Sequence, residues 1–180
     1  MRKRLQQFIG ANAYKVNIYT FHSFCNDIIQ DNLNLFEKNS LEAISELESI
    51  ELFKQLIDTF PKGHLLKRYR GDVYYEVTNL RKLFSVMKKE GWSVEFINQC
   101  IDGYINDLPN RDEYIAKRKV KEYSKGDVRT DKIAEETEKM EMLRAATKEF
   151  INFQNLMRKK ERYDFDDMIN WVIAVLKKKK

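Results

Sequence analysis

Apolar residues recur every three to four positions along most of this chain, as they do on the buried face of an α-helix. This spacing predicts helices over residues 1–9, 41–60, 73–90, 93–108, 110–125, 131–162 and 168–176. Residues 16–19 instead alternate apolar and polar side chains, as a β-strand does, and they lead into a helix that ends at Asp31. We therefore predict a mainly α fold: a helical subdomain with one long spanning helix and a short strand near the N-terminus.

Capping residues refine the limits of these helices. Ser40 and Ser49 are candidate N-caps within the 41–60 region, so a break between two helices is expected there. Gly91 is placed to end one helix and Ser93 to begin the next. Such residues are favoured because they satisfy backbone groups that a helix leaves unpaired at its ends.

The long helix predicted over 131–162 carries a heptad seam. Two sets of residues repeat one heptad apart: Ile133, Met140 and Thr147, and Leu143, Phe150 and Met157. At about 1.5 Å per residue this helix spans roughly 45 Å. The seam must be covered either by other helices of this chain or by a partner protein, and exposure of Met140, Leu143 and Phe150 would favour the partner.

Composition and charge limit the class of protein. The chain has 180 residues, of which 43% are apolar, and this is enough for one domain core. Its net charge of +5 permits nucleic-acid binding but is also ordinary for a lysine-rich intracellular protein. No apolar run reaches the ~20 residues of a membrane span, and no signal peptide is recognisable. Cys25 and Cys100 form no CxxC pair that would indicate zinc. We predict a cytoplasmic protein without a membrane partner.

The junction between the predicted strand and the next helix contains the first candidate site. Thr20, His22 and Ser23 combine two hydroxyls, an imidazole and the unpaired amides of a helix start, which together suit the oxygen of a phosphate. The alternative is structural: Ser23 is an N-cap, His22 is a loop residue, and Phe21 and Phe24 belong to the core.

Residues 61–72 form a predicted loop that is rich in cations. Lys67, Arg68 and Arg70 flank Tyr69, so the loop can hold a nucleic-acid backbone and stack on a base or sugar. A solvated linker without a ligand is the alternative interpretation. A second set of cations lies on the exposed side of the predicted 110–125 helix: Lys117, Arg118, Lys119 and Lys121.

Three carboxylates precede the last helix. Asp164 is a good N-cap, and Asp166 and Asp167 suit the positive end of the helix dipole, so capping accounts for all three. A metal-dependent hydrolase would need these carboxylates to meet His22 in space. We favour capping and predict no catalytic residue and no metal ligand.

Two segments together resemble signatures of the UvrD/PcrA/Rep-like superfamily-one DNA helicases. They are TFHSFC at residues 20–25 and YDFDDMI at residues 163–169, in the order found in that family. The opening MRKRL at residues 1–5 is similar to the end of the family's preceding motif. The resemblance implies three parts: 1–33 as a fringe of the RecA-like motor domain, 34–160 as a helical insertion like the 1B subdomain, and 161–180 as the return to the motor domain.

The resemblance also implies a role in DNA binding. The TFHS segment of that family touches single-stranded DNA, so Thr20, His22 and Ser23 are expected to contact the phosphodiester backbone, with Phe21 packed inward. Charge clustering, and not the resemblance, is the basis for the further hypothesis that Lys67, Arg68 and Arg70, together with the cations of 117–121, lie near the duplex ahead of the motor. The implied partners are single-stranded or forked DNA and the remaining helicase domains of the parent chain.

The nucleotide site of that family is missing from this sequence. There is no GxxxxGK[ST] phosphate loop, and no acidic strand follows the DFDD segment. We therefore expect a fragment that is inactive alone and holds no cofactor, cut from an ATP-dependent DNA helicase of repair or recombination whose other parts bind ATP and magnesium. The alternative is a helical protein–protein interaction module without DNA binding.

Overall fold

The computed structural model describes residues 1–36, 42–68, 70–120 and 122–178. These residues are mainly α-helical, as predicted, and the helices are α1 (Arg2–Ile9), α2 (Phe21–Asp31), α3 (Glu46–Asp58), α4 (Val77–Glu90), α5 (Val94–Asp107), α6 (Thr130–Lys159) and α7 (Phe165–Lys178). The described strands are β1 (Glu42–Ala43) and β2 (Arg162–Tyr163), which pair in parallel. None of the helices in this part of the chain is long and apolar enough to cross a membrane.

The chain divides into two compact units. The terminal unit comprises Met1–Ala43 and Glu161–Lys180, and the central unit comprises Ile44–Lys160. Each unit has a cluster of buried apolar side chains of its own. The assignment of residues 1–33 and 161–180 to a motor-domain fringe, and of 34–160 to a 1B-like insertion, stays a prediction.

The core of the terminal unit lies between α2 and α7. Cys25 and Ile29 of α2 are buried in one cluster with Met168 and Val172 of α7 and with Tyr163 of β2. Each helix contributes two residues spaced four apart, which places the pair on one face of its helix. Helix α2 therefore buries one face and leaves its start exposed.

The strand predicted over 16–19 is wrong. Residues 10–15 form a 3₁₀-helix, and residues 17–20 have no regular structure. A strand needs a neighbour for its backbone hydrogen bonds, and the described residues place no strand beside this segment. Alternation over four residues is therefore not enough to make a strand here.

The central unit is built around α6. The Phe153 ring of α6 stacks on Phe53 of α3 with centroids 4.1 Å apart, and it meets Phe84 of α4 at 5.5 Å. Ile97 and Ile101 of α5 belong to the same buried cluster. Four helices thus share one core.

The heptad seam of α6 is covered within the chain. Met140, Leu143 and Phe150 are partly buried and pack against the core of the central unit. The exposure that would have favoured a protein-interaction module is therefore not observed at these three residues. Helix α6 runs over Thr130–Lys159, close to the predicted 131–162.

Helix α3 begins later than predicted and is capped by a different serine. The Ser45 hydroxyl accepts a hydrogen bond from the Glu48 amide (3.2 Å), and the Glu48 carboxylate accepts one from the Ser45 amide (3.0 Å). Ser40 lies outside the described residues, and Ser49 lies inside the helix. The reciprocal pair satisfies two backbone amides, which explains why α3 starts at Glu46.

Replacing Ser45 by Ala is expected to lower the free energy of unfolding by about 1 kcal/mol, because the Glu48 amide loses its acceptor. Ser49→Ala is the matched control, since alanine is favoured inside a helix. Urea unfolding followed by circular dichroism measures both. A loss for Ser49→Ala as large as that for Ser45→Ala would contradict the assignment of the cap.

The other predicted caps in the central unit are confirmed. Gly91 ends α4 in the left-handed conformation, with φ 66° and ψ 28°, and the Ser93 hydroxyl accepts an amide of the first turn of α5 at 3.1 Å. Helix α4 starts at Val77 rather than at residue 73, because the Asp72 carboxylate accepts the Tyr74 amide (2.9 Å) and forms a turn there.

The helix predicted over 110–125 is wrong. Residues 115–128, which we call the basic loop, fold back on themselves through antiparallel bridges between Ile115 and Val128 and between Val120 and Tyr123. The Ala116 amide donates to the Asp127 carbonyl at 2.9 Å. The segment is only weakly amphipathic, so a helix would bury little apolar surface, and backbone pairing determines its structure instead.

Candidate nucleic-acid interface

Thr20 and Ser23 open helix α2 as a capping box. Thr20 is the N-cap, and its hydroxyl accepts a hydrogen bond from the Ser23 amide at 3.2 Å. The Ser23 hydroxyl accepts one from the Thr20 amide at 2.9 Å. The hypothesis that Ser23 is the N-cap is therefore wrong, since Ser23 is the third residue of the helix. Both side chains are exposed.

His22 lies next to this box at the exposed start of α2. Its ring meets the ring of Phe165, the first residue of α7, in an edge-on contact with centroids 5.0 Å apart. Within the described residues, the amides of Phe21 and His22 have no acceptor, as is usual for the first turn of a helix. An exposed imidazole and two unpaired amides therefore occur together at the positive end of the helix dipole.

The aromatic residues of this segment do not form the core. Phe21 is 84% exposed and Phe24 is 48% exposed, so the prediction that they pack inward is wrong. Helix α2 instead turns Cys25 and Ile29 towards α7. Burial raises the pKa of the Cys25 thiol, which keeps it protonated and unreactive at neutral pH.

Lys67 of the predicted cationic loop is bound within the chain. Its Nζ donates to the carbonyl oxygens of Phe60 (2.8 Å) and Asp58 (3.4 Å) at the end of α3. A cation at a helix C-terminus satisfies carbonyls that the helix leaves unpaired. Lys67 therefore stabilises α3, and this contact competes with any ligand for its amine.

Arg68 is bound on two sides. Its Nη2 donates to Oε1 of Glu76 at 3.3 Å, and its guanidinium carbon lies 3.5 Å from the centre of the Tyr75 ring. Glu76 is 8% exposed and also accepts the side-chain amide of Asn79 at 2.9 Å. Tyr69, the aromatic residue that the sequence places beside these cations, lies outside the described residues. Tyr75 makes the stacking contact, and sequence reasoning missed it.

The basic loop carries a local group of exposed cations in the central unit. Arg70 is exposed in the 61–72 loop. The exposed cations of the basic loop are Lys117, Arg118, Lys119 and Lys125, and Lys121 lies outside the described residues. Tyr114 anchors the base of this loop: burial, with a hydrogen bond to Tyr104 as a further cause, raises the pKa of Tyr114 to about 12.

Asp164 precedes α7 and Asp167 lies in its first turn, and the two carboxylates cap the start of this helix. The Asp164 carboxylate accepts the Asp167 amide at 2.9 Å, and the Asp167 carboxylate accepts the Asp164 amide at 3.2 Å. The predicted capping role of Asp164 is therefore confirmed. Among the residues that the structure describes, no group of three or more His, Cys, Asp and Glu side chains is placed to hold a metal ion.

Comparisons with known proteins complement this geometry. Searches of the curated proteins and of the solved structures gave no match. The family model of the UvrD/REP helicase N-terminal domain matches residues 1–180, the whole sequence. The chain therefore belongs to the UvrD/REP helicase family, as its TFHS and DFDD segments predicted.

Proposed function

We propose that this chain is a DNA-binding accessory part of an ATP-dependent DNA helicase that acts in repair or recombination. In this proposal the terminal unit is a fringe of the motor domain, and the central unit is a 1B-like insertion. The family match supports the helicase assignment. The exposed start of α2 is the observation that carries DNA binding. The partners are single-stranded or forked DNA and the other helicase domains of the parent chain.

The start of α2 offers hydrogen-bond donors to a phosphate oxygen. The amides of Phe21 and His22 and the imidazole of His22 are the donors, and the helix dipole favours an anion at this end. Thr20 and Ser23 fix the backbone of this turn through their capping box. The Ser23 hydroxyl also donates to the Thr20 carbonyl at 3.0 Å and lies 3.1 Å from the Thr20 hydroxyl, so a contact of either hydroxyl with phosphate replaces one of these bonds. Contacts of this kind position a strand without reading its sequence.

The central unit carries proposed DNA contacts of its own. Arg70 and the basic loop are exposed, so each of their cations can neutralise a phosphate and release counterions. Lys67 and Arg68 are part of the proposed interface too, but their contacts within the chain reduce the charge they offer to phosphate. The affinity for DNA should therefore fall with rising salt, and the basic loop should contribute to that slope.

This chain does not fit a nucleotide site. Its six glycines form no GxxxxGK[ST] loop, and the described residues contain no group of three or more His, Cys, Asp and Glu side chains placed to hold a metal ion. In this proposal ATP and magnesium bind other parts of the parent helicase, and the chain is inactive alone.

The test is the fluorescence anisotropy of labelled single-stranded, duplex and forked DNA across a salt series. His22→Ala is expected to weaken single-strand binding about five- to tenfold, the effect of one lost hydrogen bond of about 1 kcal/mol. Substituting Lys117, Arg118 and Lys119 together by Gln is expected to reduce the slope of log affinity against log salt by about 2 to 3, because three phosphate contacts no longer release counterions.

Two controls separate specific contacts from general charge. Substituting Lys82, Lys148 and Lys159 by Gln removes the same charge from exposed positions on α4 and α6, and it should change the slope less. His22→Gln keeps a side-chain donor and should retain most of the affinity. Absence of DNA binding at low salt would contradict the proposal. Equal salt slopes for the two triple variants, together with no effect of His22→Ala on affinity, would contradict it as well.

A further inference from the structure

Arg68 and Tyr75 form an exposed stacked pair in the central unit. The guanidinium carbon lies 3.5 Å from the centre of the Tyr75 ring, a separation typical of a guanidinium stacked on an aromatic face. The Arg68 side chain is 45% exposed and Tyr75 is 53% exposed. The outer face of the guanidinium is therefore a flat surface open to solvent.

Glu76 fixes the position of this guanidinium and offsets its charge. The Glu76 carboxylate is buried and lies 3.3 Å from Nη2 of Arg68. It borders a cleft of about 200 Å³ whose other walls are mostly apolar and include Leu80 and Leu143. Water screens a charge pair less in such surroundings, so the carboxylate holds the arginine firmly. Bound in this way, Arg68 attracts a phosphate less than an unpaired arginine does, while its planar face stays available.

We propose that Arg68 and Tyr75 form a platform on which an unpaired base of single-stranded DNA stacks. The proposal rests on the proposed DNA-binding function and narrows it, since this pair binds the face of a base and not the backbone. Every base has a π-face, so the platform has no strong sequence preference. In a duplex the base faces are covered by their neighbours, so the platform favours unpaired DNA.

The test uses the full chain with two substitutions that each remove one property of the pair. Arg68→Lys keeps the positive charge but loses the planar group, and Tyr75→Leu keeps apolar bulk but loses the ring. Each is expected to lower the affinity for a single strand about tenfold, as the loss of one base stack does. The salt slope and the affinity for duplex should stay unchanged, because no phosphate contact is lost. A strand that contains 2-aminopurine should lose its binding-induced quenching in both variants.

Two controls exclude indirect effects. Arg111→Lys makes the same substitution in a second arginine–tyrosine pair of the central unit, where the guanidinium lies 4.4 Å from the ring centre of half-buried Tyr104. It should leave single-strand affinity unchanged, as should Tyr75→Phe, which keeps the ring. Thermal unfolding of each variant shows that the fold is retained.

The outcomes distinguish this inference from the function on which it rests. Unchanged single-strand affinity of Tyr75→Leu, in a chain that does bind DNA, overturns the platform and leaves the proposed function standing. Full affinity of Arg68→Lys with loss in Arg68→Gln assigns Arg68 to phosphate and also overturns the platform. If the unsubstituted chain binds no DNA at low salt, both proposals fail.

Discussion

Replacing Phe153 by Ala is expected to lower the free energy of unfolding by about 3 to 5 kcal/mol. Phe153 is 2% exposed, and its ring contacts Phe53 at 4.1 Å and Phe84 at 5.5 Å. The substitution removes the transfer free energy of a buried ring and leaves a cavity between three helices that cannot close fully. Because domains of this kind are stable by only about 5 to 15 kcal/mol, much of the total is lost.

Urea unfolding monitored by circular dichroism measures this change, and hydrogen exchange reports which helices of the central unit become less protected. Ile151→Ala is the matched control: Ile151 lies on the same helix but is 51% exposed, so its loss should stay within about 0.5 kcal/mol. Similar losses for the two variants would contradict the orientation of α6, because the position of Phe153 at the core would then have no effect.

The long helices could be predicted from the sequence because each buries one continuous face. Helix α6 is the strongest case: Thr147 and Met157 of its heptad sets are buried, and Leu143 and Phe150 pack against the core. The helices that cover this seam could not be predicted, since an apolar stripe is complementary to any other apolar stripe of similar length. The choice between an internal core and an external partner therefore needed the structure.

Short or weak patterns failed for a different physical reason. Residues 16–19 alternate like a strand, but a strand is stable only beside another one, and strand pairing is not a local property. The 110–125 segment lacks a strong apolar face, so small differences in backbone pairing determine its structure. Antiparallel pairing of Ile115 with Val128 folds this segment back on itself, an arrangement that helical spacing does not suggest.

The candidate interface shows the same limit at single residues. Counting cations identified Lys67 and Arg68, but not the carbonyls and the carboxylate that bind them. Arg68 reaches Tyr75 across a turn in which Gly71 adopts φ 81°, and no spacing rule links the two residues. At the start of α2 the sequence offered Ser23 as the N-cap, whereas Thr20 is the cap and Ser23 completes the capping box three residues later.

Within the terminal unit, replacement of Tyr163 is expected to lower the free energy of unfolding most. It is fully buried in β2, and its hydroxyl donates to Oδ1 of Asn26 at 2.6 Å and accepts from Nε2 of Gln30 at 3.2 Å. Asn26 and Gln30 lie one turn apart on α2, so a single phenol ties that helix to β2. Tyr163→Ala is expected to lower the free energy of unfolding by about 3 to 5 kcal/mol, since it removes a packed ring and the hydroxyl to which both side-chain amides bind.

Tyr163→Phe separates packing from hydrogen bonding. It keeps the ring and should lower the free energy of unfolding by about 1 to 2 kcal/mol, as measured by urea unfolding. Tyr14→Ala, at a position that is 66% exposed, should change this free energy little.

Because α2 also carries His22, the proposed phosphate contact should weaken more in Tyr163→Ala than in Tyr163→Phe, in parallel with faster hydrogen exchange in α2. If Tyr163→Phe lowers the free energy of unfolding as much as Tyr163→Ala does, the hydrogen bonds and not the packed ring hold α2 to β2. DNA binding by the start of α2 would then depend on Asn26 and Gln30, two residues that touch no DNA in the proposal.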